Sequence, residues 1–191
     1  MNNQFIQNRV SIFIAFIIVI LHTVGGYSQC EVNGINGQPF LINDNTSFDI
    51  NIEVTDDIHN DLNGIQGICG VRLNFEHTLI SDLQIDLIAP NDSTVTLIGP
   101  ALRDITTPSL FFPIRHDILF IPNSEVAAPD PSTPDQWTNA NPNWAATAEY
   151  TGTYYPSSGD FETAFSIGPV NGVWTIRVSD SELNDEGLLN S

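Results

Sequence analysis

Ser47-Phe-Asp-Ile-Asn-Ile-Glu-Val54 alternates polar and apolar residues without a break. Val71-Arg-Leu-Asn-Phe-Glu76, Leu83-Gln-Ile-Asp-Leu87, Thr94-Val-Thr-Leu-Ile98 and Gly172-Val-Trp-Thr-Ile-Arg-Val-Ser179 do the same. A period of two gives a strand one face on a core and one in water. The pattern therefore predicts Phe48, Ile50, Ile52 and Val54 inward, with Asp49, Asn51 and Glu53 outward. On the late strand it predicts Trp174, Ile176 and Val178 inward. Turn signals lie between the runs: Asp61-Leu-Asn-Gly64, Ala89-Pro-Asn-Asp92, Ser157-Ser-Gly-Asp160 and Pro169-Val-Asn-Gly172. Beyond residue 28 no segment shows a sustained helical period with a cap, and there is no internal repeat. Short strands punctuated in this way predict an all-β fold, an antiparallel β-sandwich of jelly-roll type.

The first thirty residues follow a different rule. Arg9 precedes Val10-Ser-Ile-Phe-Ile-Ala-Phe-Ile-Ile-Val-Ile-Leu21, one positive charge and then about a dozen apolar residues, as in a secretory signal. A spanning helix needs roughly 20 such residues, and His22 and Gly25-Gly26 interrupt before that. Gly26-Tyr27-Ser28 places small residues where a signal peptidase reads, so cleavage is expected after Ser28. The expected division is a signal peptide over 1–28, a linker over 29–40 and a domain over 41–191. An uncleaved anchor and lipidation of Cys30 are the alternatives; Gln29, just before Cys30, is not the small residue that lipidation requires. Export leads to an oxidising setting, where Cys30 and Cys69 can pair. Equally, Cys69 can be a small buried apolar residue with Cys30 free. The expected location is secreted or cell-surface, with no transmembrane segment once the signal is removed.

Pro122 to Tyr150 is rich in Pro, Asn, Ala and Asp and carries Trp137 and Trp144. Structureless loops of this length are uncommon inside a compact domain. Two readings stand: a binding loop displaying Trp137 and Trp144 to a ligand or partner, or a lid whose rings cover one sheet face.

Charge narrows the partners. The chain has 191 residues, with 23 Asp+Glu against five Lys+Arg, a formal net charge of −18. All five basic residues are Arg, and they are scattered. No basic patch exists for a phosphate backbone, which rules against nucleic acid, and the charge disfavours an anionic membrane surface. Among metals, calcium suits such a chain, because it takes six to eight oxygen ligands. Asp180-Ser-Glu182-Leu-Asn184-Asp185-Glu186-Gly187 is one oxygen-rich loop. Asp56-Asp57-Ile-His-Asn-Asp61-Leu-Asn-Gly64 is a second. Neither has EF-hand spacing. The competing reading of Asp180, Glu182, Asn184 and Asp185, and of Asp56, Asp57 and Asp61, is that acidic turns bond their own backbone or water.

Two blocks of the sequence resemble a known family. Val71-Arg-Leu-Asn-Phe-Glu-His77-Thr78, Asp82-Leu-Gln-Ile-Asp-Leu-Ile-Ala-Pro90-Asn and Ser93-Thr-Val-Thr-Leu97 form the first. Gly172-Val-Trp-Thr-Ile-Arg-Val-Ser-Asp180 with Asn184-Asp185-Glu186-Gly187-Leu188 forms the second. In order and spacing they are similar to the P domain (Homo B domain) of the proprotein convertases, subtilisin-like serine proteases, over about residues 40 to 191. The resemblance implies a β-sandwich without catalytic residues that accompanies and stabilises a protease domain. It also implies one further strand after Leu188, so the expectation is a domain lacking its last strand, or a piece of a longer product.

The chain itself shows none of the Asp-Thr-Gly, His-Gly-Thr or Gly-Thr-Ser signatures of a subtilisin-like triad. His77 ends a predicted strand and is expected to be buried and hydrogen-bonded. His59 and His116 stand near Asp57 and Asp117. The expected function is a non-catalytic module of an exported, multidomain protein, for stabilisation, adhesion or recognition. Its partners would be other domains of the same protein, an extracellular protein or a glycan. The alternative is an accessory domain of a secreted serine endopeptidase whose catalytic domain lies outside this chain.

Overall fold

A computed structural model describes residues 39–55, 60–62, 67–99, 113–122, 149–183 and 185–191. The signal segment, Cys30, Asp56, Asp57, His59, Trp137, Trp144 and Asn184 lie outside them. Among the described residues nine strands are formed in chain order: β1 (Phe40–Ile42), β2 (Ser47–Val54), β3 (Val71–His77), β4 (Leu83–Ile88), β5 (Thr94–Ile98), β6 (Ile114–Phe120), β7 (Glu149–Tyr154), β8 (Gly172–Asp180) and β9 (Gly187–Leu189). A 3-10 turn spans Ile80–Asp82, and one short helix, α1, spans Phe161–Ala164. Among the described residues no helix is long and apolar enough to cross a membrane.

The strands make two sheets, β1-β9-β3-β6-β7 and β2-β8-β4-β5. Their inner faces share one core, to which both sheets contribute: Phe75, Ile118, Phe120 and Tyr150 from the first, Ile50, Leu87, Leu97 and Val178 from the second. The fold is thus an all-β sandwich, as the period-two runs predict. On β8, Trp174, Ile176 and Val178 are all buried. On β2 only Ile50 is fully buried, while Phe48, Ile52 and Val54 are half-buried. The difference follows from topology, since β2 is an edge strand and β8 lies between β2 and β4.

Every pair is antiparallel except β6–β7, which is parallel from Arg115↔Glu149 to Phe120↔Tyr154. Parallel neighbours need a crossover of a dozen or more residues, because a tight turn cannot return the chain to the same end of the sheet. That requirement accounts for the long segment between β6 and β7, most of which lies outside the described residues. Its end is not loop: β7 begins at Glu149.

Across the inner face of the first sheet runs a ladder set by register, Leu189–Phe75–His116–Tyr150. The Phe75 and His116 rings stack at 4.7 Å and 7°, and those of His116 and Tyr150 at 5.3 Å and 23°. Four residues on, Tyr154 is also buried on β7, and its ring lies over Gly152, the inward position between the two tyrosines. A Cβ at Gly152 would overlap that buried ring, so Gly152→Ala is expected to lower stability by about 1–3 kcal/mol. A urea midpoint within error of wild type would show that the ring is free to move aside. Burial also pushes the Tyr154 phenol up to about 12, from 10.0. A raised value means the folded state holds the proton more tightly. This contribution is complete below pH 10 and disappears as pH rises toward 12, which urea midpoints measured across that range for wild type and Tyr154→Phe will reveal.

Helix α1 was not legible as a helix because it is a single turn. Asp160 caps it, its Oδ1 accepting from the Thr163 N–H at 2.7 Å. The turn buries Phe161 and Phe165, and Phe165 meets Trp174 edge-on at 5.3 Å. The Trp174 indole N–H donates to the Val170 carbonyl at 2.8 Å, so the ring is both packed and satisfied. The bridge Thr96↔Ser158 lays the chain before α1 along the open side of β5.

Candidate functional site

The polar residues of the two motif blocks meet at one end of the sandwich. There the β1–β2 turn, the end of β3, the 3-10 turn, the end of β8 and the loop into β9 converge. Three carboxylates are buried at this end, those of Asp82, Asp180 and Asp185, together with His77.

His77 and Asp180 are a pair whose side chains are both fully shielded from solvent. The His77 Nε2–H donates to Asp180 Oδ2 at 3.0 Å. At the other ring nitrogen the Leu79 N–H donates to Nδ1 at 3.1 Å, with the Leu79 carbonyl oxygen 2.9 Å from the same atom. Both ring nitrogens of His77 therefore have a partner within hydrogen-bond distance. Asp180 Oδ1 accepts from the Glu182 N–H at 3.0 Å, and the Asp180 N–H donates to Thr46 O at 2.9 Å. A buried carboxylate needs such donors, since an unpaired charge out of water is costly.

Asp185 sits one strand over. Its Oδ1 accepts from the Thr78 hydroxyl at 3.2 Å and its N–H donates to Asp44 Oδ1 at 3.0 Å. Thr78 N–H donates to Glu186 O at 3.3 Å, and the Ser181 N–H to Asp82 O at 3.2 Å. Each of these bonds joins segments distant in the sequence. Together they tie the 181–186 loop to β3, to the 3-10 turn and to the β1–β2 turn.

Of the run expected as a calcium loop, Asn184 lies outside the described residues, and the Asp180 and Asp185 side chains face His77 and Thr78. Asp180 directs one oxygen to His77 and the other to a backbone N–H, while Glu182 contributes its main chain to that same network. Among the described residues no group of three or more His, Cys, Asp or Glu is placed to hold a metal ion. In the other oxygen-rich loop only Asn60, Asp61 and Leu62 are described: Asp61 is exposed, and Asn60 Oδ1 accepts from Asn171 N–H at 2.6 Å. Cys69 is disulfide-bonded, and its partner lies outside the described residues. Asp44 joins the cluster although nothing in its sequence neighbourhood groups it with Asp180 and Asp185; the fold brings it there.

His116 and Asp117 are neighbours in sequence and face opposite ways. His116 points into the ring ladder, whereas Asp117 lies on the outer face, where the Arg72 Nε–H donates to its Oδ1 at 2.7 Å and Arg72 Nη2 to its Oδ2. A shallow groove of about 460 Å³ opens beside this pair, lined by Arg72, Asp117, Leu119, Thr151, Gly152 and Thr153. On the other sheet Arg177 grips Asp49 in the same forked way, with both bonds at 2.8 Å. The hydrogen bonds from Arg72 and Arg177 hold the Asp117 and Asp49 carboxyls below their usual 3.8. A lowered folded value stabilises above the unfolded one and is lost as pH falls through the folded one. Asp117→Asn is therefore expected to cost about 1 kcal/mol or less above pH 4, because Arg72 is largely solvent-exposed. The difference from wild type should vanish near pH 2, as read from urea midpoints.

No protein-family model matches this chain, and no curated protein matches it.

Proposed function

We propose that residues 41–191 are a non-catalytic β-sandwich module, of jelly-roll type, in an exported protein, serving stabilisation, adhesion or recognition. One observation carries the reading: among the described residues, the His and Asp side chains gathered at the end of the sandwich are bonded across strands and turns. His77 and Asp180 are sealed from solvent and bonded to each other, and Thr78 is bonded to Asp185. A general base has to reach a substrate proton, and His77 has no opening through which to do so. Export is supported by the apolar run behind Arg9 and by the disulfide at Cys69.

The likeness to the convertase P domain supports a second reading, an accessory domain of a secreted serine endopeptidase. What favours it is that its two motif blocks, distant in sequence, bond to each other through His77–Asp180 and Thr78–Asp185. The two readings share the prediction that this chain cleaves nothing. Purified residues 29–191 incubated with a mixed peptide library should leave it intact. Cleavage blocked by a serine-directed inhibitor would overturn both. Co-purification of the native protein with serine endopeptidase activity on a larger polypeptide would select the second.

A further inference from the structure

We infer that the chain cannot fold until β8 and β9 have been made, and that this delay keeps it threadable through an export channel. The first half rests on topology alone; the second rests also on the exported reading above. In the second sheet β8 lies between β2 and β4, and in the first sheet β9 lies between β1 and β3. An interior strand of each sheet therefore comes from residues 172–189. Among the described residues β1 has no strand neighbour but β9, and β2 has none but β8. All eight residues of β2 are in register with β8, from Ser47↔Ser179 to Val54↔Gly172. Without the late strands, β1 and β2 have no ladder at all.

What remains before residue 172 is poor in stability. The second sheet is reduced to the β4–β5 pair, and an isolated two-stranded unit is marginal in water. The first is reduced to β3-β6-β7, whose inner ladder of Phe75, His116 and Tyr150 would lack the apolar face that Trp174, Ile176 and Val178 present from β8. His77 and Thr78, already in place on and just after β3, would wait for Asp180 and Asp185. Closing loops that span most of the chain costs entropy before any contact returns it. An extended chain passes a narrow channel, whereas a finished sandwich does not. The order in which partners appear thus holds the early strands open during translation and transfer.

The test is a nascent-chain force profile. The signal-free chain is placed ahead of a translation-arrest segment, with a growing length exposed outside the ribosome. The expected result is a single release of arrest, only when residues through Leu189 have emerged. Release when the chain is exposed only as far as Phe165 would overturn the inference. A circular permutant that places residues 169–191 ahead of residue 39 through a flexible linker supplies β8 and β9 first. It should give release at a shorter exposed length, and behind the native signal segment its export yield should fall several-fold. Equal export of permutant and wild type, with late folding of the wild type intact, would overturn the export half alone. Retention of both precursors inside the cell with the signal uncleaved would instead overturn the exported reading, while the force profile still decides the first half.

Discussion

Gly187→Ala will unfold much of this domain's margin of stability, with an expected loss of about 3 kcal/mol or more in urea denaturation. The cause is close approach of two backbones. A Cβ at Gly187 would overlap the Glu76 carbonyl oxygen and His77 Cδ2. The first of these belongs to the β3 main chain and cannot swing away as a long side chain would. Gly187 pairs with His77 on one side and with Ile42 on the other, so β9 is fixed between two strands at that point. Displacing it would also pull on Thr78–Glu186 and Thr78–Asp185, the bonds immediately beyond. Gly187 has no positive φ, so its role here is space and not backbone freedom. Gly70→Ala is a useful comparison, because the added Cβ would lie 2.8 Å from Phe120 O at the start of β3, where the chain is less confined. A smaller loss there and a large one at Gly187 is the expected order. Similar, small losses at both would show that β9 can shift within the sheet.

The sequence carries the strands whose two faces differ sharply in environment, and it is weak where they do not. β2, β3, β4, β5 and β8 alternate polar and apolar residues along most of their length, and the inward apolar set of each lies on the core, although Asp86 on the outward face of β4 is buried as well. β6 breaks the pattern twice: a histidine stands at an inward position and Leu119 at an outward, exposed one. The His116 ring lies in the core between those of Phe75 and Tyr150, and that placement depends on the register of two other strands. β7 hides for another reason, since Gly152 occupies an inward position and the Tyr154 ring fills its place. β1 and β9 have three residues each, too few for any period to show. The polar cluster is legible only in part. The motif His77-Thr78 and the run from Asp180 to Gly187 each stand out, but nothing in the sequence says that Asp180 faces His77 while Asp185 faces Thr78. A calcium loop and a loop that pins strands have the same composition. What separates them is the direction of each carboxylate oxygen, which the fold sets.

His77→Ala is expected to cost about 3–5 kcal/mol, because it leaves the Asp180 carboxylate buried with one of its two partners gone. The Glu182 N–H would remain on Oδ1, but Oδ2 would face an empty space where a ring donor had been. Removing both members should be milder than the sum of the single losses, since Asp180→Leu in the His77→Ala background removes the stranded charge as well. The coupling read from the four urea midpoints measures the pair directly. Asp180→Asn keeps the shape and an acceptor for His77 Nε2–H but loses the charge, and its expected loss is about 1–3 kcal/mol. A structural pair and a catalytic one diverge in this experiment. If His77 served as a general base, alanine there would leave stability near wild type, because active sites are commonly held together by what surrounds them. If the pair fastens the end of β8 to the end of β3, all three variants fall in stability in the order given and the double mutant recovers part of the loss. A near-zero coupling energy would mean that Asp180 is held by its backbone donors alone, and that the His77 ring merely fills space beside it.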